Sequence, residues 1–239
     1  MKIVFTGGGT AGHFYPLIAI AEEVNKIVEE ENLLRPELYY FSVDPYDKKA
    51  LFDNAIVFKR AFAGKARLYF SLANFLDMGT LVFGACKALA DMYFLYPDVV
   101  VSKGGYASIP VVFAARLLKI PIIIHESDAV PGRANKWAAK FAERIGVSWP
   151  DAYEYFPSEK TALTGQPVRA QLLIPEKHGA REFLKLGKDT PVILVLGGSQ
   201  GAKALNEAVM SILPQLVKKY QILHQTGAKN FDEVSAVAS

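Results

Sequence analysis

Cysteine is almost absent: among 239 residues only Cys86 carries a thiol. That excludes a disulfide framework and a cysteine-built metal site. The thiol falls in an apolar, helix-like stretch, where burial as a small inert hydrophobe is expected. Long hydrophobic runs are missing too, and no uninterrupted stretch approaches the ~18 residues of a membrane-spanning helix. Excess charge is equally scarce: at +3 the net charge is too small to argue for a nucleic-acid partner. Met1-Lys2-Ile3 leads straight into a strand-like run, which leaves no space for a secretory leader and points to an intracellular chain.

What is present suits a packed globular protein, with 51% hydrophobic and 21% charged residues. Short apolar runs at Lys2–Thr6, Leu38–Val43, Asp98–Ser102, Ile120–His125, Arg144–Ser148, Val192–Leu196 and Gln221–His224 read as strands. They are apolar throughout rather than alternating, the pattern of parallel strands covered on both faces. Helical periodicity lies between them. Pro16 suits a first helical position ahead of Leu17, Ile20, Ala21, Val24, Ile27 and Val28. Ser108–Leu118, Arg133–Phe141 and Lys203–Lys219 are further helices, the last kinked or ended by Pro214. This alternation predicts βαβ units and an α/β, doubly wound sheet. Five punctuating residues (Pro150, Pro157, Gly165, Pro167 and Pro175) weaken the pattern, so residues 1–163 are expected as one domain and 164–239 as an incomplete second.

Glycine is concentrated where strands meet helices. "FTGGGTAGHFYP" (5–16), "SKGGYASIP" (102–110) and "VLGGSQGAKALNEAV" (195–209) each follow a strand. Strand, glycine turn and helix bring backbone N–H groups and a helix N-terminus to an anion. Gly7, Gly9 and Gly12 satisfy the dinucleotide spacing, with Asp44 placed for a ribose, so a nucleotide-dependent oxidoreductase is one reading. The repeat of the design in a second domain shifts the balance toward a nucleotide-sugar enzyme. Two such units can face each other across a cleft. A diphosphate held there needs no metal, since amides and helix dipoles supply the positive end.

Four segments in order, "GGGTAGHFYP", "SKGGYASIPVVFAARLLKIPIIIHESDAVPGRANK", "LTGQPVR" and "LGGSQGAKALNEAV", strongly resemble the MurG family of bacterial peptidoglycan glycosyltransferases. The resemblance extends to about Gly227. It implies a GT-B fold, with a Rossmann-like acceptor domain and a second Rossmann-like domain for the donor nucleotide. It also implies inverting transfer of N-acetylglucosamine from UDP-N-acetylglucosamine to lipid I, giving lipid II, without a cofactor or a metal. By resemblance Thr10, Ala11 and Gly12 contact the donor, Ala11 standing where the family has glycine, and His13 is the general base. Asp128 replaces a donor-contacting asparagine and can only accept hydrogen bonds when ionised. Arg169 matches an arginine associated with the donor, and Ser199 a serine that donates to the diphosphate. Asn135 and Lys136 resemble a capping and packing pair, while His125 and Glu126 are open to a structural role.

Between residues 59 and 103, Lys59, Arg60, Lys65, Arg67, Lys87 and Lys103 outnumber Asp77, Asp91 and Asp98. Leu68, Tyr69, Phe70, Leu72, Phe75, Leu76, Leu81, Val82 and Phe83 lie among them. Apolar anchors beside cations suit an anionic bilayer. The resemblance implies peripheral docking on the cytoplasmic face of the inner membrane, where lipid I resides; an ordinary core helix is the alternative. The segment after Thr164 is short for a closed half-domain and ends in what reads as a polar tail. A fragment of a longer enzyme, half of a split enzyme completed by a partner chain, and a non-catalytic acceptor-binding subunit all fit that length.

Overall fold

The computed structural model describes residues 1–63, 73–174, 179–198 and 201–238; for 73–78, 80, 81 and 238 it describes the backbone only. The chain divides into two units, Met1–Leu173 and Ile174–Ser239. The division falls beyond the expected 163/164 boundary for a physical reason. Gly165 and Gln166 hydrogen bond to His125, Ser127 and Ser148, and the Ala170 amide donates to Glu22, so the connecting segment stays with the first unit.

The first unit is built on β1 (Lys2–Thr6), β2 (Glu37–Ser42), β3 (Ile56–Arg60), β4 (Val99–Ser102), β5 (Ile122–Glu126), β6 (Arg144–Val147) and β7 (Thr161–Leu163). Its helices are α1 (Ala11–Glu30), α2 (Lys48–Asp53), α3 (Ala73–Leu95), α4 (Ile109–Leu117) and α5 (Arg133–Ala138). All neighbouring strands pair in parallel, in the order β3-β2-β1-β4-β5-β6-β7. Chain order reverses between β1 and β4, the place where a doubly wound sheet opens a crevice at its carboxyl edge. Both faces of the sheet are covered, which accounts for the unbroken apolar runs. Ile3 and Phe5 turn to Phe14, Leu17 and Ile18 of α1, whereas Val4 joins Met92 of α3 and Val111, Val112 and Ala115 of α4.

Two strands escape the sequence pattern. β3 and β7 lie at the sheet's edges, where Val57, Lys59, Arg60 and Leu163 face solvent, so neither reads as a buried run. The start expected at Pro16 is also corrected. α1 begins at Ala11, with Pro16 buried inside it. Gly12 and His13 break the apolar periodicity and hide the first turn. Pro16 has no N–H to give the Gly12 carbonyl, so that turn is the helix's weakest. Cys86 is exposed rather than buried. On α3, Gly84, Ala88 and Met92 form the inward stripe, and Cys86 falls on the opposite face with Phe83 and Phe94.

The second unit contains α6 (Ala180–Phe183), β8 (Val192–Leu196), α7 (Lys203–Leu216), β9 (Gln221–Gln225) and α8 (Phe231–Ala238). β8 and β9 pair in parallel. Its glycine turn tolerates no side chain at Gly201: φ is +74° and a Cβ would lie 2.0 Å from the Thr226 carbonyl oxygen. Asn206 and Asn230 both donate to that same oxygen, at 3.0 Å each. The chain end read as a polar tail is helical, because Val234 packs inward from α8 and is buried.

Candidate active site

A cavity of about 500 Å³ opens at the carboxyl edge of the first sheet. His13, Lys103, Gly105, Tyr106, Glu126 and Asp128 belong to its wall, with Gly132, Arg133 and Asn135 continuing it on α5. The reversal point between β1 and β4 thus becomes a concave site. The turn after β1 is braced from β2: Thr6 Oγ1 donates to Phe41 O at 2.9 Å and the Tyr40 hydroxyl to Gly7 O at 2.8 Å. Gly104 and Gly105 both have positive φ, and a Cβ on Gly105 would lie 2.8 Å from Gly8 O. The two turns approach each other over bare backbone. Such contact excludes side chains.

Thr10 stands at the N-cap of α1 in extended conformation, yet its side chain makes no capping bond. Its Oγ1 lies 2.8 Å from His13 Nδ1 instead. The Ala11 and Gly12 amides open the helix and have no intrahelical acceptor. Ala11 is helical, so the methyl group that replaces a family glycine is accommodated. Burial depresses the His13 pKa below 6.5, the Lys103 ammonium adds to the effect, and the Glu126 and Asp128 carboxylates oppose it. The imidazole is therefore neutral at neutral pH.

Glu126 and its neighbours build the opposite wall. Glu126 is 4% exposed. Its Oε1 accepts the Asp128 amide at 3.0 Å; its Oε2 accepts the Gly132 amide at 3.1 Å and Asn135 Nδ2 at 2.9 Å. One carboxylate thereby shapes the whole 127–132 loop and presents Asp128 to the cavity. Asn135 also donates to His125 O at 3.2 Å, so its place is architectural. Lys136 Nζ lies 4.4 Å from the Tyr155 ring centre.

Lys103 corrects the reading of the basic region. It is 3% exposed and sits in the cavity wall rather than on a membrane-facing surface, because it directly follows β4. Its ammonium donates to His125 Nδ1 at 2.8 Å and to Ser127 Oγ. Burial lowers its pKa to about 8, against the pull of Glu126 and Asp128. His125, also buried and beside this ammonium, is lowered to about 4.

The expected residues are only partly brought together. His13 and Asp128 share the cavity, and Thr10 touches His13. Arg169 does not line it: its guanidinium lies 3.9 Å from the centre of the Tyr15 ring, with Nε buried and without a hydrogen-bond partner among the described residues. Tyr15 in turn donates to Asp47 Oδ2 at 3.2 Å. Asp44, the candidate ribose ligand, accepts the Tyr46 amide in a local turn. Ser199, Lys65, Arg67 and Phe70 lie outside the described residues, as do the side chains of Phe75, Leu76 and Leu81. The signal for Lys103 in sequence was its position directly after the strand Val99–Ser102, with its three consecutive valines, and ahead of two glycines.

Comparison with known proteins adds a family match in each unit. The glycosyltransferase family 28 N-terminal domain matches residues 3–147, and the family's C-terminal domain matches residues 192–239. Over 232 residues the chain is 41% identical to a Bacillus cereus protein named UDP-N-acetylglucosamine–N-acetylmuramyl-(pentapeptide) pyrophosphoryl-undecaprenol N-acetylglucosamine transferase 2. A Lachnospira eligens transferase of the corresponding name is also 41% identical. Each alignment covers 97% of this chain and 64% of the relative, so the chain spans just under two thirds of these relatives' length. Acinetobacter baumannii MurG is similar in structure, with a TM-score of 0.61 and 27% identity, over 99% of this chain and 62% of that one.

Proposed function

This chain belongs to glycosyltransferase family 28 and has the α/β architecture of the GT-B class, and from that premise we propose that it transfers N-acetylglucosamine from UDP-N-acetylglucosamine to lipid I. The observation that carries the reading is a neutral, half-buried histidine held by Thr10 at a helix N-terminus and facing a strand-end cavity. With Nδ1–H donating to Thr10 Oγ1, Nε2 keeps its lone pair for a substrate. The sugar hydroxyl of lipid I attacks the anomeric carbon of the donor and gives its proton to Nε2. The bond from that carbon to the diphosphate oxygen breaks in the same in-line step, and UDP leaves with the electron pair. Inversion follows from the single displacement.

Charge growing on the leaving diphosphate needs donors aimed at it in advance. We assign the Ala11 and Gly12 amides, with Thr10 beside them, to the donor. Arg169 is assigned to a phosphate oxygen, since its Nε is buried and has no hydrogen-bond partner among the described residues. Ser199 is assigned to the diphosphate on its place in the second glycine turn. Asp128 supplies an acceptor for a donor-sugar hydroxyl. The test is transfer itself, measured on the product of the complete reading frame. Lipid II and UDP are expected in equal amounts; no lipid II, or calorimetric binding of NAD in place of the UDP-sugar, overturns the reading.

The acceptor's lipid argues for docking on the cytoplasmic face of the inner membrane. Among the described residues no helix is long and apolar enough to cross a membrane. The described part of α3 supports a peripheral mode instead. Phe83 and Phe94, 59% and 84% exposed, lie three helical turns apart on one face. Arg60 lies over the Phe62 ring, which meets Phe83 edge to face. Exposed aromatic side chains beside cations suit an anionic interface. A Phe83→Ser, Phe94→Ser double variant is expected to leave anionic vesicles in sedimentation while wild type co-sediments. Equal partitioning would refute the docking face.

A further inference from the structure

Lys103 is a buried cation to which the proposed chemistry gives no task. An ammonium carries three N–H groups and no lone pair, so each of its partners must accept. His125 Nδ1, at 2.8 Å, is therefore the unprotonated ring nitrogen. The ring proton lies on Nε2, which donates to Gly165 O at 3.0 Å. Ser127 Oγ accepts from the same ammonium and donates its own hydrogen bond to Gln166 Oε1 at 2.6 Å. Ser148 Oγ also reaches Gln166 Oε1, at 2.9 Å. Two hydrogen-bond chains thus start at one nitrogen and end on adjacent residues of the segment that carries Arg169.

We infer that Lys103 is a positioning residue: its ammonium locks His125 as the neutral Nε2–H tautomer, orients the Ser127 hydroxyl, and through both fixes the Gly165–Gln166 turn ahead of Arg169. On the transferase reading, which supplies the purpose, this sets Arg169 for the donor diphosphate. The direction of both chains is imposed at their origin. An apolar side chain at 103 would free Nδ1 to take a proton and leave the Ser127 hydroxyl without its donor. The other charged or titratable groups described in this wall are Glu126 from β5, Asp128 from the following loop, His13 from α1, Tyr106 from the turn after β4 and Arg133 from α5. The depressed pKa values of Lys103 and His125 agree with a cation and a neutral ring enclosed together.

Nuclear magnetic resonance of the full chain, labelled at histidine nitrogens and lysine Cε and free of substrate, tests this directly. In the wild type, His125 is expected to hold Nε2–H, with Nδ1 accepting, through the neutral range. In Lys103→Met its titration midpoint rises from about 4 by roughly one unit or more. The Gln166 amide exchanges about 10-fold faster in that variant. Lys103→Arg, which keeps a cationic donor, restores both readouts. An unchanged His125 midpoint in Lys103→Met overturns the inference. Should that variant not fold, the wild type alone decides: the Lys103 transition near 8 must move the His125 Nδ1 resonance with it. A Lys103 transition that leaves Nδ1 unmoved also overturns the inference. None of these readouts uses substrate, so a chain that passes them without making lipid II refutes the proposed reaction and keeps the role of Lys103.

Discussion

Replacing His13 with asparagine is expected to lower kcat by about 10²–10⁴-fold, the range a positioned general base supplies, with little change in affinity for UDP-N-acetylglucosamine. The cavity stays intact because the side chain is no part of the core clusters that hold α1 to the sheet. The pH profile carries a second signature. A base works when neutral, which means above its pKa. Burial and Lys103 hold that pKa below 6.5, so kcat/KM of the wild type should persist as pH falls through 6.5 and decline only beneath it. The variant's residual activity should lack that acid limb. Near-normal turnover in His13→Asn, or a wild-type limb above 6.5, removes His13 from the role.

Much of this arrangement was legible in the sequence because it depends on local rules. The interior strands of the first sheet are largely buried and read as unbroken apolar runs, so β1, β4 and β5 are found within a residue or two; β8 is found by its apolar run as well, although it is only partly buried. The glycine turns announce themselves by composition. What escaped depends on tertiary context. β3 and β7 are edge strands with solvent-facing residues, and α2, with six residues, is too short to show a period. Lys103 reads in sequence as one more cation in a basic stretch; only the sheet reveals that the residue after β4 is buried in the cavity wall. Arg169 has surroundings that the sequence also hides. Its motif suggests a phosphate, and in the fold its guanidinium lies over the face of Tyr15, a contact distant in sequence that no local pattern encodes.

Glu126 offers the sharpest separation between building a site and acting in it. Glu126→Gln keeps volume but replaces one accepting oxygen with an amino group that must face donors. The Asp128 amide, the Gly132 amide and Asn135 Nδ2 all converge on the native carboxylate. Whichever way the amide turns, at least one of them loses its acceptor. Leaving a buried donor unsatisfied beside a second donor is expected to cost about 2–4 kcal/mol. For a chain of this size that lowers the first unit's Tm by roughly 5–15 °C, read by calorimetry. Activity falls as well, because the 127–132 loop no longer presents Asp128. His13→Asn should show the contrasting result, lost turnover at unchanged Tm, since the His13 ring meets Thr10 at the helix N-terminus and takes no part in the Glu126 hydrogen bonds. An unshifted Tm in Glu126→Gln would mean that the loop is held by something other than this carboxylate.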